Sequence, residues 1–208
     1  MKSFYGLWAG LLLFSFVLTS VSQARTIDGE FISKCFGCHG RKGVSGYSEF
    51  PNLAGQDKDY IFNQLKAFRD GKREDLTLEA MPYMVHDLSD QDLTGLADIF
   101  NRYPKEKVKR AEMSERDEEF FNRGKEIIAG NTTTCRFCHL ANPTKDGPAT
   151  PGYPSLTGQQ KGYLMNQIKA FKEKKRWNPI MNSDLIGNMS DEDIEAVATY
   201  MRYLRVEQ

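Results

Sequence analysis

Two short runs could do chemistry in this sequence. They are CFGCH at 35–39 and CRFCH at 135–139. Together they use all four cysteines and two of the three histidines, and they lie 100 residues apart. C-x-x-C-H is an attachment signature of c-type haem. In that chemistry the thiols of Cys35 and Cys38, and of Cys135 and Cys138, add to the two haem vinyl groups as thioethers. Two intervening residues bring both sulfurs to one edge of the macrocycle. The next residue, His39 or His139, is then held under the iron as its proximal axial ligand. A zinc site of four thiolates would leave both histidines idle and fuse the two runs into one centre. A thioredoxin-like redox pair needs a strand context that is missing here. A disulfide within each run would staple only a tiny loop. The motifs therefore predict two covalently bound haem c groups.

The sixth iron ligand has to come from elsewhere. His86 is the one histidine left, so at most one haem could be bis-His. Methionine is the other usual choice in cytochromes c and raises the potential. Of eight methionines, Met81 lies 42 residues after His39, and Met181 lies 42 residues after His139. For a single methionine, core packing is the default reading; the paired spacing reverses it here. Both are expected in irregular stretches beside a proline, just before the last helix of their repeat. The second loop carries one extra residue before that helix, which makes Met181 the less regular match. His86, next to Asp87, reads as a partly exposed histidine near a haem edge.

These residues sit in two copies of one unit. PNLAGQ at 51–56 recurs as PSLTGQ at 154–159, and YIFNQLKAF at 60–68 as YLMNQIKAF at 163–171. LSDQDL at 88–93 recurs as MSDEDI at 189–194. Such colinear blocks indicate duplication of a domain. Between the copies, twelve of the eighteen residues from Arg102 to Glu119 are charged, the pattern of a solvated linker. The expected division is a leader at 1–24, a first domain at 25–103, a linker at 104–115 and a second domain at 116–208.

The elements that must position the motifs read as helices. Ser89 is an N-cap with Asp92 three residues on, close to a capping box. Leu93, Leu96, Ala97 and Phe100 then follow helical spacing. The second copy repeats this with Ser190, Asp193, Ile194, Val197, Ala198 and Met201. A helix over Tyr60–Asp70 would place Ile61, Leu65 and Phe68 on one face, and its copy Leu164, Ile168 and Phe171. A further helix is expected over Glu118–Ala129. No segment sustains a period of two, so the fold class is all-α.

The first 24 residues have Lys2, an uncharged apolar run from Phe4 to Leu18, and small residues at Ser22 and Ala24, a secretory signal peptide by pattern. Its removal leaves a chain with no other run of spanning length. The expected destination is outside the cytoplasm, and the resemblance described next implies the periplasm. The balance of 28 basic against 28 acidic residues excludes a basic nucleic-acid footprint.

Each half resembles a class I cytochrome c domain: C-x-x-C-H near the start, Pro-Asn-Leu-x-Gly or a variant, then a methionine before a C-terminal helix. The tandem is similar to the di-haem cytochrome c4 family over essentially the whole chain after residue 24. The resemblance implies two small helical folds, each around a covalent haem. It implies that the carbonyls of Pro51 and Pro154 accept a hydrogen bond from His39 and His139, fixing each ring and tuning its basicity. It also implies haems paired across the domain interface, where Tyr60 and Tyr163 are candidates for haem or interface contacts; plain helix packing is the alternative. With both axial positions filled by protein, the expected role is outer-sphere electron transfer rather than catalysis. The expected partners are redox proteins, a quinol-oxidising complex on one side and a terminal oxidase or reductase on the other. Two alternatives are a cytochrome subunit of a periplasmic dehydrogenase, and a di-haem enzyme of the peroxidase or thiosulfate-oxidising type.

Overall fold

The computed structural model describes residues 27, 29–74, 76–105, 113–130, 135–139 and 151–204. The expected leader and most of the expected linker lie outside these residues. The described residues form helices, turns and bends, with no strand among them. In chain order the helices are α1 (Gly29–His39), α2 (Lys58–Arg69), α3 (Ala80–Val85), α4 (Asp90–Arg102) and α5 (Glu115–Gly130), followed by α6 (Cys135–His139), α7 (Lys161–Lys172), α8 (Asp184–Gly187) and α9 (Asp191–Tyr203).

Local chemistry explains four of the helix starts. The Asp57 side chain accepts from the Tyr60 amide, so α2 begins earlier than its apolar stripe suggests. Ser114 does the same for the Asp117 amide ahead of α5. Both terminal helices open on complete capping boxes, Ser89 with Asp92 and Ser190 with Asp193. Aspartate stands where glutamate is usual and still reaches back to the cap amide, at 2.9 Å for Asp92.

The apolar stripes build two separate cores. Leu93, Leu96, Ala97 and Phe100 of α4 are buried with Ile61 and Phe68 of α2. Val197, Ala198 and Met201 of α9 are buried with Leu164 of α7 and Ile128 of α5. Helices α5 and α9 cross closely at Gly124, where an added Cβ would run into the Ala196 carbonyl. Phe121 and Tyr200 stack beside that crossing, with ring centroids 5.1 Å apart.

Met81 departs from expectation. It lies in the first turn of α3 rather than in irregular chain. Pro82 permits this, because a first-turn residue has no intrahelical use for its missing N–H. Met181 does lie in a turn, where its amide donates to the Asn178 side chain.

The two halves meet through buried amides in a pseudo-two-fold pattern. Gln56 donates from Nε2 to the Ser155 carbonyl at 2.7 Å and accepts from its amide at 3.0 Å. Gln159 does the same to Asn52, at 2.9 and 2.7 Å. Each side chain pairs with the other half as a strand neighbour would, which satisfies backbone that would otherwise be buried without partners.

Candidate haem sites and the cavity that joins them

α1 carries Cys35, Cys38 and His39 on one short helix, and α6 carries Cys135, Cys138 and His139. Helical geometry puts the first cysteine four residues ahead of the histidine, on the same face. All six line one cavity of about 680 Å³ that runs through both halves. Met81 and Met181 line it as well. Its walls are mainly apolar and include Leu65, Phe68, Leu96, Leu164, Phe171 and Met201.

The histidines are the best-defined groups in the cavity. Both are buried, at 7% exposure for His39 and 8% for His139. His39 Nδ1 lies 2.9 Å from the Pro51 carbonyl, and His139 Nδ1 lies 3.0 Å from the Pro154 carbonyl. A carbonyl only accepts, so Nδ1 carries the proton in both rings. Nε2 is then the basic nitrogen, the form a metal needs. Burial pushes His139 below the usual histidine range, against the Pro154 hydrogen bond, and keeps the ring neutral. The three-residue difference in spacing from histidine to proline is absorbed without loss of this contact.

An aromatic residue stands edge-on to each ring: Phe50 to His39 at 6.4 Å, and Tyr153 to His139 at 6.0 Å between centroids. These positions were missed in the sequence. Their signal is an aromatic residue directly before the proline in both copies.

No disulfide joins the cysteines. Burial raises the Cys35 and Cys135 thiols above their usual value. Among the described residues, no three His, Cys, Asp or Glu side chains gather to hold a bare metal ion. His86 is 61% exposed, lies outside the cavity lining, and contacts the Tyr83 carbonyl and Asp87. It is a surface residue rather than a ligand candidate. Met84 does line the cavity beside Met81.

Tyr60 and Tyr163 also face the cavity, and both serve the interface. Arg176 donates to the Tyr60 hydroxyl and Arg73 to the Tyr163 hydroxyl, each at 3.2 Å. Burial acts to raise the Tyr163 phenol, but the two arginine charges overcome it and hold it below the usual range. The arginines were not singled out in the sequence, although they fall at matching positions after the duplicated YIFNQLKAF and YLMNQIKAF blocks.

The donor set, the carbonyl-bound imidazoles and the apolar cavity fit a flat, largely apolar macrocycle in each half. Residues 22–98 match the family model described as cytochrome c oxidase, cbb3-type, subunit III, and residues 121–205 match the model described as cytochrome c. Cytochrome c4 of Pseudomonas aeruginosa is 36% identical over 176 residues, covering 82% of this chain and 83% of that protein. The thiosulfate dehydrogenase electron acceptor of Thiomonas intermedia is 30% identical over 184 residues, covering 81% and 77%. The crystal structure of reduced recombinant cytochrome c4 from Pseudomonas stutzeri matches at a TM-score of 0.70 and 30% identity, covering 84% of this chain and 95% of that one. Two haem c groups are therefore bound covalently, one at each C-x-x-C-H motif.

Proposed function

The chain belongs to the cytochrome c4 family of di-haem c-type electron carriers, and from that premise we propose that it works in the periplasm as a respiratory carrier. Its donor would be a quinol-oxidising complex and its acceptor a terminal oxidase or reductase. Residues 1–24 would direct export and be removed.

The observation that carries this reading is the repeated set of residues in one cavity: His39 with Met81, and His139 with Met181. The histidines would be the proximal iron ligands and the methionines the sixth ligands. The haem supplies a one-electron couple. His39 and His139, with Met81 and Met181, would hold its iron, the apolar walls would exclude water, and each proline carbonyl holds its imidazole in place. No coordination site is then left for a substrate, so the protein carries electrons and is not itself an enzyme. Docking to its partners would be brief and small in area, as redox encounters usually are.

A second reading has one specific support, the likeness to a thiosulfate dehydrogenase electron acceptor. Here the same carrier takes its electrons from a periplasmic dehydrogenase instead of a quinol-oxidising complex.

The test is a redox titration of the purified protein, with visible and near-infrared spectra, a haem count and N-terminal sequencing. The expected result is two low-spin haems with the iron–methionine band and a chain beginning at Arg25. Met81→Ala and Met181→Ala should each remove that band from one haem only. A high-spin or bis-His haem in the unmodified protein refutes the ligand assignment. Stopped-flow reduction by a quinol-oxidising complex, compared with a thiosulfate-oxidising enzyme, separates the two donors.

A further inference from the structure

Exposed apolar side chains stand at two openings of the cavity. Leu76 and Leu78 line it in the first half, just ahead of Met81, and Trp177 and Ile180 line it in the second, just ahead of Met181. Leu78 is 60% exposed and Trp177 71%. Tyr83, also on the surface, extends the first of these rims. Exposed apolar groups gathered in one place mark a contact surface.

The charge around the two rims has opposite sign. Residues 70–80 hold four acidic side chains against two basic, and the equivalent residues 173–180 hold three basic against one acidic. Leaving out Arg73 and Arg176, which turn toward the boundary between the halves, changes neither sign. The backbone adds a second observation. Lys174 keeps, at φ 59°, the left-handed conformation that Gly71 has at φ 67° in the first half. Glu79 sits at φ 54°, directly after Leu78. Glycine takes this conformation without the strain an L side chain meets there. Each half thus keeps an exposed charge, of its own sign, where the backbone disfavours it. The whole chain has a formal net charge of zero, so no net repulsion keeps copies apart.

We propose that the two rims are made for each other, so that the second half of one copy docks head to tail on the first half of another. Trp177 and Ile180, flanked by Lys174 and Lys175, meet Leu76, Leu78 and Tyr83, flanked by Glu74 and Glu79. Such a contact is heterologous, joining two different surfaces of one chain. A second copy is favoured over other occupants because both matching surfaces are present in this chain. A bilayer at either opening would put lipid between the haem and any redox group, and anionic headgroups would repel the acidic rim. The electron-passing part rests on the di-haem carrier reading above. A reduced iron in one copy gives one electron to an oxidised iron in the next, with no bond made or broken. The contact is small, so pairing is weak and reversible.

The experiment is sedimentation velocity of the two-haem protein over rising concentration at low salt. Electron self-exchange is read in parallel from the broadening of haem methyl NMR lines in half-reduced samples. The expected result is association and fast exchange, both weakening with salt. Lys174→Glu with Lys175→Glu should weaken association about tenfold, as should Glu74→Lys with Glu79→Lys. Mixing the two variants should restore it. Protein that stays monomeric at every concentration overturns the proposal, and so does association that neither reversal moves. Loss in both reversals without recovery on mixing overturns it too and assigns the charges a role within one chain. Self-association absent while the Lys variant is reduced more slowly by a quinol-oxidising complex gives the rim to a different protein. Binding to phosphatidylglycerol vesicles in place of self-association gives it to the membrane. Should a reversal cost the iron–methionine band, carbodiimide cross-linking of the unmodified protein decides. Lys174 or Lys175 joined to Glu74 or Glu79 of another copy supports the contact, and no such link overturns it. A haem count other than two refutes the carrier reading instead and leaves sedimentation to decide the pairing.

Discussion

Asp57 and Gln160 precede equivalent helices, and the two halves use them differently. Asp57 turns inward and caps α2 through the Tyr60 amide. Gln160 makes no cap bond for α7 and instead reaches the Ser45 carbonyl of the first half at 2.7 Å. The first half keeps its local bond, while the second gives up a cap worth about 1 kcal/mol to tie the halves together. The glycines differ in the same way. Gly95 of α4 occupies the position of Ala196 in α9, where an added Cβ would meet only ordinary contact with Ile27 at 3.7 Å. In the second half the close approach has moved to Gly124 of α5, against Ala196 itself. Duplication preserved the helices, the haem motifs and the paired glutamines and tyrosines between the halves, and the copies differ at individual contacts such as these.

The largest effect should come from breaking the α5–α9 crossing. Gly124→Ala pushes a methyl into backbone and should destabilise the second half by about 3 kcal/mol. Gly95→Ala should be neutral or stabilise by up to about 1 kcal/mol, as in an ordinary helix interior. Denaturant unfolding followed separately at each haem would show the contrast, and equal effects would erase it.

Next are the buried amides. Gln56→Ala and Gln159→Ala each strand a buried backbone N–H and C=O, costing about 2 kcal/mol. Gln159 Oε1 also accepts from the Gln160 amide at 2.9 Å, so Gln159→Ala should cost the more of the two, read as the larger drop in the unfolding midpoint. Ser89→Ala and Ser190→Ala remove equivalent capping boxes and should cost about 1 kcal/mol each, with amide exchange rising only in the first turns of α4 and α9.

Acid should separate the halves again. Burial acts to raise Asp117 and Glu195, but hydrogen bonds and charge from Lys161 hold both below the usual carboxylate range. Their contribution is present above the unfolded carboxylate values near 4. It is lost as pH falls through their depressed folded values. In the first half the lowered groups, Asp70 and Asp90, lie at the surface beside Arg69, where solvent screens them. Hydrogen exchange should therefore rise in α5 and α9 before α2 and α4 as pH drops below about 4. The reverse order would remove the assigned role of Lys161.

The sequence by itself determined the cofactor, the duplication and the helices. Those signals are short in range: a five-residue motif, an N-cap with its partner three residues on, and an apolar stripe repeating every turn. The resemblance to class I cytochrome c domains pointed to Pro51 and Pro154, whose contacts with His39 and His139 the fold supplies. Paired spacing singled out Met81 and Met181, and both face the cavity. Tertiary structure alone decided what joins the halves. Gln56 finds Ser155 across 99 positions, and Arg176 finds Tyr60 across 116. Glutamine, tyrosine and arginine on a helix face are ordinary solvent-facing residues until a second copy packs against them. Only the pseudo-two-fold docking of the two copies removes the water and turns those polar side chains into a buried network.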